Sequence, residues 1–290
     1  SSNYLGLKPC LTTNNLEEKI EIWNTLSKRY LDMDSIQRLL KSESDLENKV
    51  QKINSSFNIE NSYTIAIAED NAFHFRYPET KECLEEAGIN VIEWQILNDE
   101  PIPKEAEGII LPGGFPEDFA KEISDSKRSL SSIRSFFGKK PIYAECGGML
   151  ILGQSLYDND NRKHNMTGLL PFEGKKGNLK VGYRKIKALN KGLISSTGEV
   201  LNGHEFHKWE VKLIKSKKSL MQNTLQSSND CKQIKLYSPW EISGWGIKSF
   251  KEGWGNNLFH ASWIHLHWPS SEMVVSHFKN ALKSSKKIST

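Results

Sequence analysis

The spacing of apolar residues predicts two helices within residues 14–53. In "NNLEEKIEIWNTLSKRYLD" the apolar positions recur at intervals of three and four: Leu16, Ile20, Trp23, Leu26 and Tyr30. That period is typical of an amphipathic helix. A second helix follows in "MDSIQRLLKSESDLENKV", with Asp34 or Ser35 as its N-cap. We expect both apolar stripes to pack in a core and the polar segment "QKINSSFNIENS" to form a linker.

From Tyr63 onward, short apolar runs alternate with helical stretches. The strand-like runs are "YTIAIAED", "INVIEWQIL", "AEGIILPGG" and "KPIYAEC", and the helical ones are "YPETKECLEEAG" and "EDFAKEISDSKRSLSSIRSFFG". This alternation predicts an α/β fold with an open, mostly parallel sheet and flanking helices. Beyond residue 165 the pattern becomes β-rich and irregular, before a last helix from about Ser271 to Lys283. Because ligands bind at the carboxyl ends of such strands, "LPGG" and "ECGG" are the candidate site loops.

Composition excludes several classes of partner. The net charge is only +4 and part of it lies in the tail "KNALKSSKKIST", so we expect no nucleic acid partner. No apolar stretch approaches the roughly 20 residues of a membrane span, so we expect no membrane association. The cysteines lie far apart without CxxC spacing: Cys10, Cys83, Cys146 and Cys231. Individual thiols of this kind favour a reducing, cytoplasmic location.

The segment "PIYAECGGMLIL" places Cys146 between a predicted strand and a glycine pair. A strand, one nucleophile, small residues and then a helix are typical of a nucleophile elbow. The N–H of Gly147 is then available to an oxyanion, and "LPGGFPE" offers the amides of Gly113 and Gly114 from the preceding strand. The alternatives are a buried packing cysteine and an ordinary strand-to-helix turn.

A thiol nucleophile needs a base, and two histidine pairs are candidates. His265 and His267 lie two apart in the strand-like "SWIHLHW", whereas His204 and His207 flank Glu205 in "GHEFH". The second pair is not the HExxH motif of zinc proteases, and we predict no metal site. The sequence contains no Walker A motif, so we expect no ATP site in this chain.

Several of these segments occur together in one known family. "LPGGFPE", "KPIYAECGGMLILGQSL", "MTGLLP", "VGYR", "GHEFH" and "ASWIHLHW" follow the order and approximate spacing of cobyrinate a,c-diamide synthases. "IAIAEDNAFHFRYPE" is also similar to the start of that family's glutaminase domain. The resemblance covers about residues 1–282.

The resemblance implies a class I glutamine amidotransferase domain with Cys146 as its nucleophile and His265 as the assisting histidine. The wider class has a glutamate two residues after that histidine, and His267 occupies the place here. The third member of a catalytic triad is therefore left open. "GHEFH" is similar to a signature near the family's active site, so His204, Glu205 and His207 are candidates for supporting roles.

The family also implies a function and a domain organisation. Glutamine would supply ammonia to amidate the a and c carboxylates of a cobyrinic-acid-type macrocycle, with ATP and Mg²⁺ required by the complete enzyme but no cofactor in this chain. Residues 1–60 would be a helical remnant or linker of an ATP-binding synthetase domain that is missing or separate. The amidotransferase domain would span 61–283, and a basic tail 284–290.

Two alternatives stay open at this stage. A related amidoligase would carry out the same glutaminase chemistry for another tetrapyrrole or another acid. An inactive domain of this type would only dock on a synthetase.

Overall fold

The computed structural model describes residues 15–41, 63–214, 224–226 and 233–286. The chain divides into two compact units, Ser1–Ser56 and Phe57–Thr290. The predicted linker and the thiols of Cys10 and Cys231 lie outside the described residues. The predicted domain bounds between 60 and 61 and between 283 and 284 stay predictions.

The first unit contains helices α1 (Leu16–Tyr30) and α2 (Met33–Lys41). The predicted core packing of the α1 stripe is wrong, since no residue of α1 is buried and Trp23 is 61% exposed. A helical period places apolar residues on one face, but burial also requires a second layer over that face. The cap of α2 differs too, because the carboxylate of Asp32, rather than Asp34 or Ser35, accepts the Ser35 N–H at 3.0 Å.

The first half of the second unit alternates strands with helices, as predicted. Its elements are β1 (Tyr63–Ala68), α3 (Glu79–Glu86), β2 (Ile89–Trp94), β3 (Gly108–Leu111), α4 (Ala120–Asp125), α5 (Lys127–Phe136), β4 (Ile142–Glu145) and α6 (Gly147–Leu150). The stretch predicted as one helix before β4 is divided, since a 3₁₀ turn at Pro116–Phe119 precedes α4 and Ser126 separates α4 from α5.

The second half is rich in strands. It contains β5 (Ser155–Tyr157), β6 (Lys163–Asn165), β7 (Phe172–Ala188), β8 (Val200–Leu213), β9 (Thr224–Gln226), β10 (Gln233–Lys235), β11 (Trp240–Ser243), β12 (Phe250–Glu252), β13 (Trp254–Asn256), β14 (Phe259–Ser262), β15 (His265–Leu266) and α7 (Glu272–Lys286). The last helix continues three residues past its predicted end at Lys283. None of the helices described is long and apolar enough to cross a membrane.

Within the described residues, the main sheet has the strand order β13-β14-β4-β3-β1-β2, and only the β13–β14 pair is antiparallel. The predicted mostly parallel sheet is therefore confirmed. β1, β3 and β4 are almost wholly buried because helices cover both faces, so their sequences are continuous apolar runs. Successive residues of β3 and β4 enter opposite cores: Ile109 and Ala144 lie in one, Ile110 and Tyr143 in the other.

A second sheet covers the carboxyl end of the first. The long antiparallel ribbon of β7 and β8 forms its centre, and β11, β5 and β15 pair with that ribbon. The run "ASWIHLHW", predicted to be one strand, is divided between the two sheets. β14 lies beside β4 in the parallel sheet, whereas β15 pairs with β8 so that His265 lies opposite His204.

Candidate active site

Cys146 lies at the junction between β4 and α6. Its backbone has φ 49° and ψ −112°, a conformation that non-glycine residues rarely adopt and that clusters at active sites. The Cys146 N–H donates to the carbonyl of Ser262 on the neighbouring strand β14 at 2.8 Å. The side chain is only 6% exposed. The predicted elbow is therefore present as a sharp turn that the surrounding strands hold in place.

The two glycine loops named from the sequence lie against each other. A Cβ on Gly147 would lie 2.8 Å from the carbonyl oxygen of Gly114 and 3.0 Å from its amide nitrogen. A Cβ on Gly113 would overlap Cε1 of His265, so this loop also contacts the histidine. Gly147 begins α6, and the N–H groups of a first helical turn have no partner within their helix. Backbone amides from both loops thus lie beside Cys146.

His265 contacts both Cys146 and Glu145. Its ring interacts electrostatically with the Cys146 side chain, and Nδ1 lies 3.6 Å from Oε1 of Glu145. Burial alone would lower the pKa of His265, but the charges and hydrogen bonds of Cys146 and Glu145 outweigh it and raise this pKa to about 10. This raised pKa keeps the ring protonated at neutral pH, where it lies between Cys146 and Glu145.

Glu145 is the site residue that sequence reasoning missed as a partner of His265. Tyr143 donates its O–H to Oε2 of this buried carboxylate at 2.8 Å, and the Leu266 N–H donates to the same oxygen at 3.3 Å. Glu145 lies two residues after Tyr143 on β4, so both side chains face the same side of the strand. The turn at Cys146 then brings the thiol to the same histidine. The signal was present in "AECGG", where the carboxylate directly precedes the nucleophile.

His204 is a neighbour of the catalytic candidates. Its ring stacks on His265 with centroids 4.9 Å apart, and its Nδ1 lies 3.4 Å from the Tyr77 hydroxyl. Burial, and then the charge of His265, lower the pKa of His204. A neutral His204 can therefore lie beside the His265 cation.

Glu205 and His207 lie deeper and form a buried polar group. Arg184 donates to Oε1 of Glu205 through Nε at 2.9 Å and Nη2 at 2.6 Å. His207 Nε2 lies 3.5 Å from Oε2 of Glu205, while its ring stacks on Trp263 at 3.8 Å. Burial opposes ionisation of Glu205, but the neighbouring His207 and the hydrogen bonds from Arg184 lower its pKa. The hydrogen bonds, ion pairs and ring contacts given for these two side chains in the described structure do not include Cys146 or His265.

His267 lies just past β15 and is half-buried. Its Nδ1 is 2.5 Å from Oγ of Ser270, and its ring meets that of Tyr77 edge-on at 5.0 Å. In the described part of the chain, no three His, Cys, Asp or Glu side chains are grouped so that they could hold a metal ion.

A cavity of about 360 Å³ opens beside His204. It is lined by Tyr77, Val181, Gly182, Tyr183, His204, Glu205 and Phe206. Because His204 stacks on His265, this cavity lies one side chain away from the candidate catalytic residues.

A family profile describing the CobB/CobQ-like glutamine amidotransferase domain matches residues 64–273. The chain belongs to this family. A cobyrinate a,c-diamide synthase of Synechococcus sp. is 30% identical over 289 residues, which cover 99% of this chain and 59% of that protein. A protein of the same name from Caldanaerobacter subterraneus subsp. tengcongensis is 34% identical over 207 residues, 70% of this chain and 45% of that protein. The resemblance drawn from the motifs is thus confirmed, and the chain spans about half the length of these curated relatives.

This chain is similar in structure to the solved structure of PurLQS from Thermotoga maritima, with a TM-score of 0.51 and 14% sequence identity. The likeness covers 77% of this chain and 98% of that one. At such low identity it bears on the fold alone, and it agrees with the predicted α/β class.

The elbow depends on the absence of a side chain at Gly148. A Cβ there would overlap the carbonyl oxygen of Leu111, which is backbone and cannot turn away. We expect Gly148→Ala to lower the free energy of unfolding by roughly 1–3 kcal/mol or more, measured by urea unfolding. Gly192→Ala is the control, because the nearest atoms to its Cβ would be 4.0 Å away. Equal stability of the two variants would contradict the close approach of the loops.

The pKa of His265 tests its contact with Glu145. We expect this histidine to stay protonated until pH is about 10 in the parent protein, and Glu145→Gln to lower its midpoint, since a negative partner is lost. Because folding raises this pKa above its ordinary 6.5, the associated stability is complete below pH 6.5 and is lost as pH rises to about 10. Histidine NMR titration measures the midpoint, with His265→Ala to assign the signal.

Glu199→Gln is the matched control for that titration, since Glu199 lies 3.1 Å from the ring of His277. It should leave the His265 midpoint unchanged. A midpoint that Glu145→Gln does not move would show that the Glu145 contact is wrongly assigned, and a parent midpoint near 6.5 would contradict the interactions of His265 with both Cys146 and Glu145.

Proposed function

We propose that this domain hydrolyses the side-chain amide of glutamine and releases ammonia. The observation that carries the proposal is the buried contact of Cys146 with His265, whose ring also faces Glu145. A thiol nucleophile, an acid–base histidine and an orienting carboxylate are what acyl transfer through a thioester requires. Membership of a glutamine amidotransferase family supports glutamine as the amide.

The first step forms the thioester. The Cys146 sulfur attacks the carboxamide carbon of glutamine while His265 holds the former thiol proton. The carbonyl oxygen becomes an oxyanion, which amides of Gly147 and of the Gly113–Gly114 loop stabilise. The C–N bond then breaks, and His265 gives its proton to the leaving nitrogen, which departs as ammonia.

The second step releases glutamate. Neutral His265 takes a proton from a water molecule whose oxygen attacks the thioester carbon. The C–S bond breaks, glutamate leaves, and the pair of Cys146 thiolate and protonated His265 is restored. Glu145 touches neither glutamine nor the reacting atoms in this scheme; it orients the ring and stabilises its positive charge.

The acceptor of the ammonia is proposed from the relatives. Their name, cobyrinate a,c-diamide synthase, supports the a and c carboxylates of a cobyrinic-acid-type macrocycle. A carboxylate must be activated before ammonia can displace oxygen, so we assign ATP and Mg²⁺ to a synthetase domain that works with this one in the cytoplasm. No cofactor is proposed for the amidotransferase domain itself.

Variant kinetics test the glutaminase. Cys146→Ser should abolish glutamine hydrolysis, measured as glutamate released. His265→Ala should lose at least about a hundredfold in kcat, because removing a general acid–base group commonly costs about 10²–10⁴ in rate. His267→Ala should lose less, since its ring hydrogen-bonds Ser270 instead.

His207→Ala is the comparison variant and should lose less than His265→Ala, because the contacts given for His207 in the described structure are with Trp209, Glu205 and Trp263 rather than with Cys146. A crippling effect there with a nearly silent His265→Ala would mean that the base is wrongly assigned. With an added synthetase domain, ATP and Mg²⁺, hydrolysis without transfer to cobyrinic acid would favour the other-acceptor alternative. No hydrolysis, with or without an added synthetase domain, would favour a docking role.

A further inference from the structure

The segment Ser262–His265, the crossover segment, positions both catalytic candidates. Here the chain leaves β14 in the parallel sheet and enters β15 in the second sheet. The carbonyl of Ser262 accepts the Cys146 N–H at 2.8 Å, and His265 is the first residue of β15. A displacement of the crossover segment would therefore move the nucleophile and the histidine relative to each other.

One buried carboxylate fixes the backbone of this segment. Glu252, at the end of β12, accepts the Trp263 N–H on Oε1 at 2.9 Å and the Ser262 hydroxyl on Oε2 at 2.7 Å. The Ser262 hydroxyl oxygen in turn accepts the Ile264 N–H at 3.0 Å. Three consecutive residues thus depend on Glu252, directly or through one hydroxyl.

These hydrogen bonds have a single direction, which suits an ionised Glu252. Both groups that contact the carboxylate are donors, and the Ser262 hydroxyl can donate to it while accepting from Ile264. A neutral amide at position 252 would offer N–H donors where Ser262 now donates. Burial is the largest influence on the pKa of Glu252 and raises it to about 7. The two hydrogen bonds oppose this rise. The charge of Glu205 adds to it, and the charge of Lys180 opposes it.

The side chain of Trp263 provides a second anchor. His207 stacks on the indole with the ring planes 6° apart, and His207 Nδ1 lies 2.7 Å from the Trp209 carbonyl. The ring plane of Trp263 is therefore fixed from β8, while its backbone is fixed from β12. The two anchors constrain the crossover segment from different elements.

We propose that Glu252 is a positioning residue for glutamine hydrolysis, acting through Ser262 and the crossover segment on Cys146 and His265. The hydrogen bonds that Glu252 accepts in the described structure come from Ser262 and Trp263 rather than from the reacting groups, so its effect passes through the crossover segment. The inference rests on the proposed glutaminase function. It predicts a defect in turnover rather than in glutamine binding, since small misplacements of reacting groups reduce rate steeply.

The test compares Glu252→Gln, Ser262→Ala and the double variant with the parent enzyme. Each single variant should lose about tenfold or more in kcat for glutamine hydrolysis, within the range that misplacement produces, with KM within about twofold. The double variant should lose little beyond the worse single one, because both changes break the same chain of hydrogen bonds. Titration with a chloroketone analogue of glutamine corrects each kcat for the fraction of folded sites.

Glu199→Gln is the matched control, since Glu199 also accepts a backbone N–H, that of Ser196 at 2.8 Å. It should keep kcat within about twofold, well short of the loss expected from misplacement. Parent-like kcat in both Glu252→Gln and Ser262→Ala would overturn the proposal. So would a loss of activity fully explained by fewer titratable sites, or multiplicative losses in the double variant.

The role of Glu252 can also be tested if the proposed glutaminase function is wrong. If the parent enzyme does not hydrolyse glutamine, the rate of Cys146 alkylation by iodoacetamide tests the positioning instead. Slower alkylation in Glu252→Gln and Ser262→Ala than in Glu199→Gln would support the role of Glu252. Equal rates in all three variants would overturn it.

Discussion

The positive φ of Cys146 is the constraint on which the rest of the site depends, because it turns the chain from β4 into α6 within one residue. A non-glycine residue in such a conformation costs on the order of 1–3 kcal/mol and persists only when its surroundings determine it. Here the N–H of Cys146 is held by Ser262, and Gly147 allows the loop of Gly114 to approach. The fold on both sides of the elbow therefore maintains it.

The electrostatics of the site follow from this turn. Glu145 ends β4 facing β15, and the elbow returns the Cys146 thiol to the same histidine. Removing charges from water is expensive, and Glu145 recovers part of that cost through hydrogen bonds from Tyr143 and Leu266. His204 stays neutral beside the His265 cation, so it adds no repelling charge.

The sequence predicts the parallel sheet well because buried parallel strands appear as continuous apolar runs, and β1, β3 and β4 all have this form. The glycine loops were also predictable, since close backbone approach leaves no room for a Cβ. The order of the motifs along the chain also predicted the family. Residue types alone could not say that "ASWIHLHW" divides between two sheets, because both halves have the same apolar pattern.

Other features depend on contacts that are distant in the chain. Glu145 meets His265 only because β15 lies against the end of β4. Leu266, whose N–H donates to Glu145 there, is 121 residues away from it in the chain. The stripe of α1 has a clear helical period, yet periodicity does not state whether a second layer covers it. The histidines of "GHEFH" acquire different surroundings, His265 for one and Trp263 for the other, from the pairing of β8.

The most direct test of the central claim is to locate the covalent adduct formed with a chloroketone analogue of glutamine by peptide mass spectrometry. The account predicts one adduct, on Cys146, that free glutamine suppresses. Burial, with the charge of Glu86, raises the pKa of Cys83 to about 12, so that thiol should remain unlabelled. Labelling spread over Cys10, Cys83, Cys146 and Cys231, or labelling that glutamine does not suppress, would contradict an activated nucleophile at the elbow.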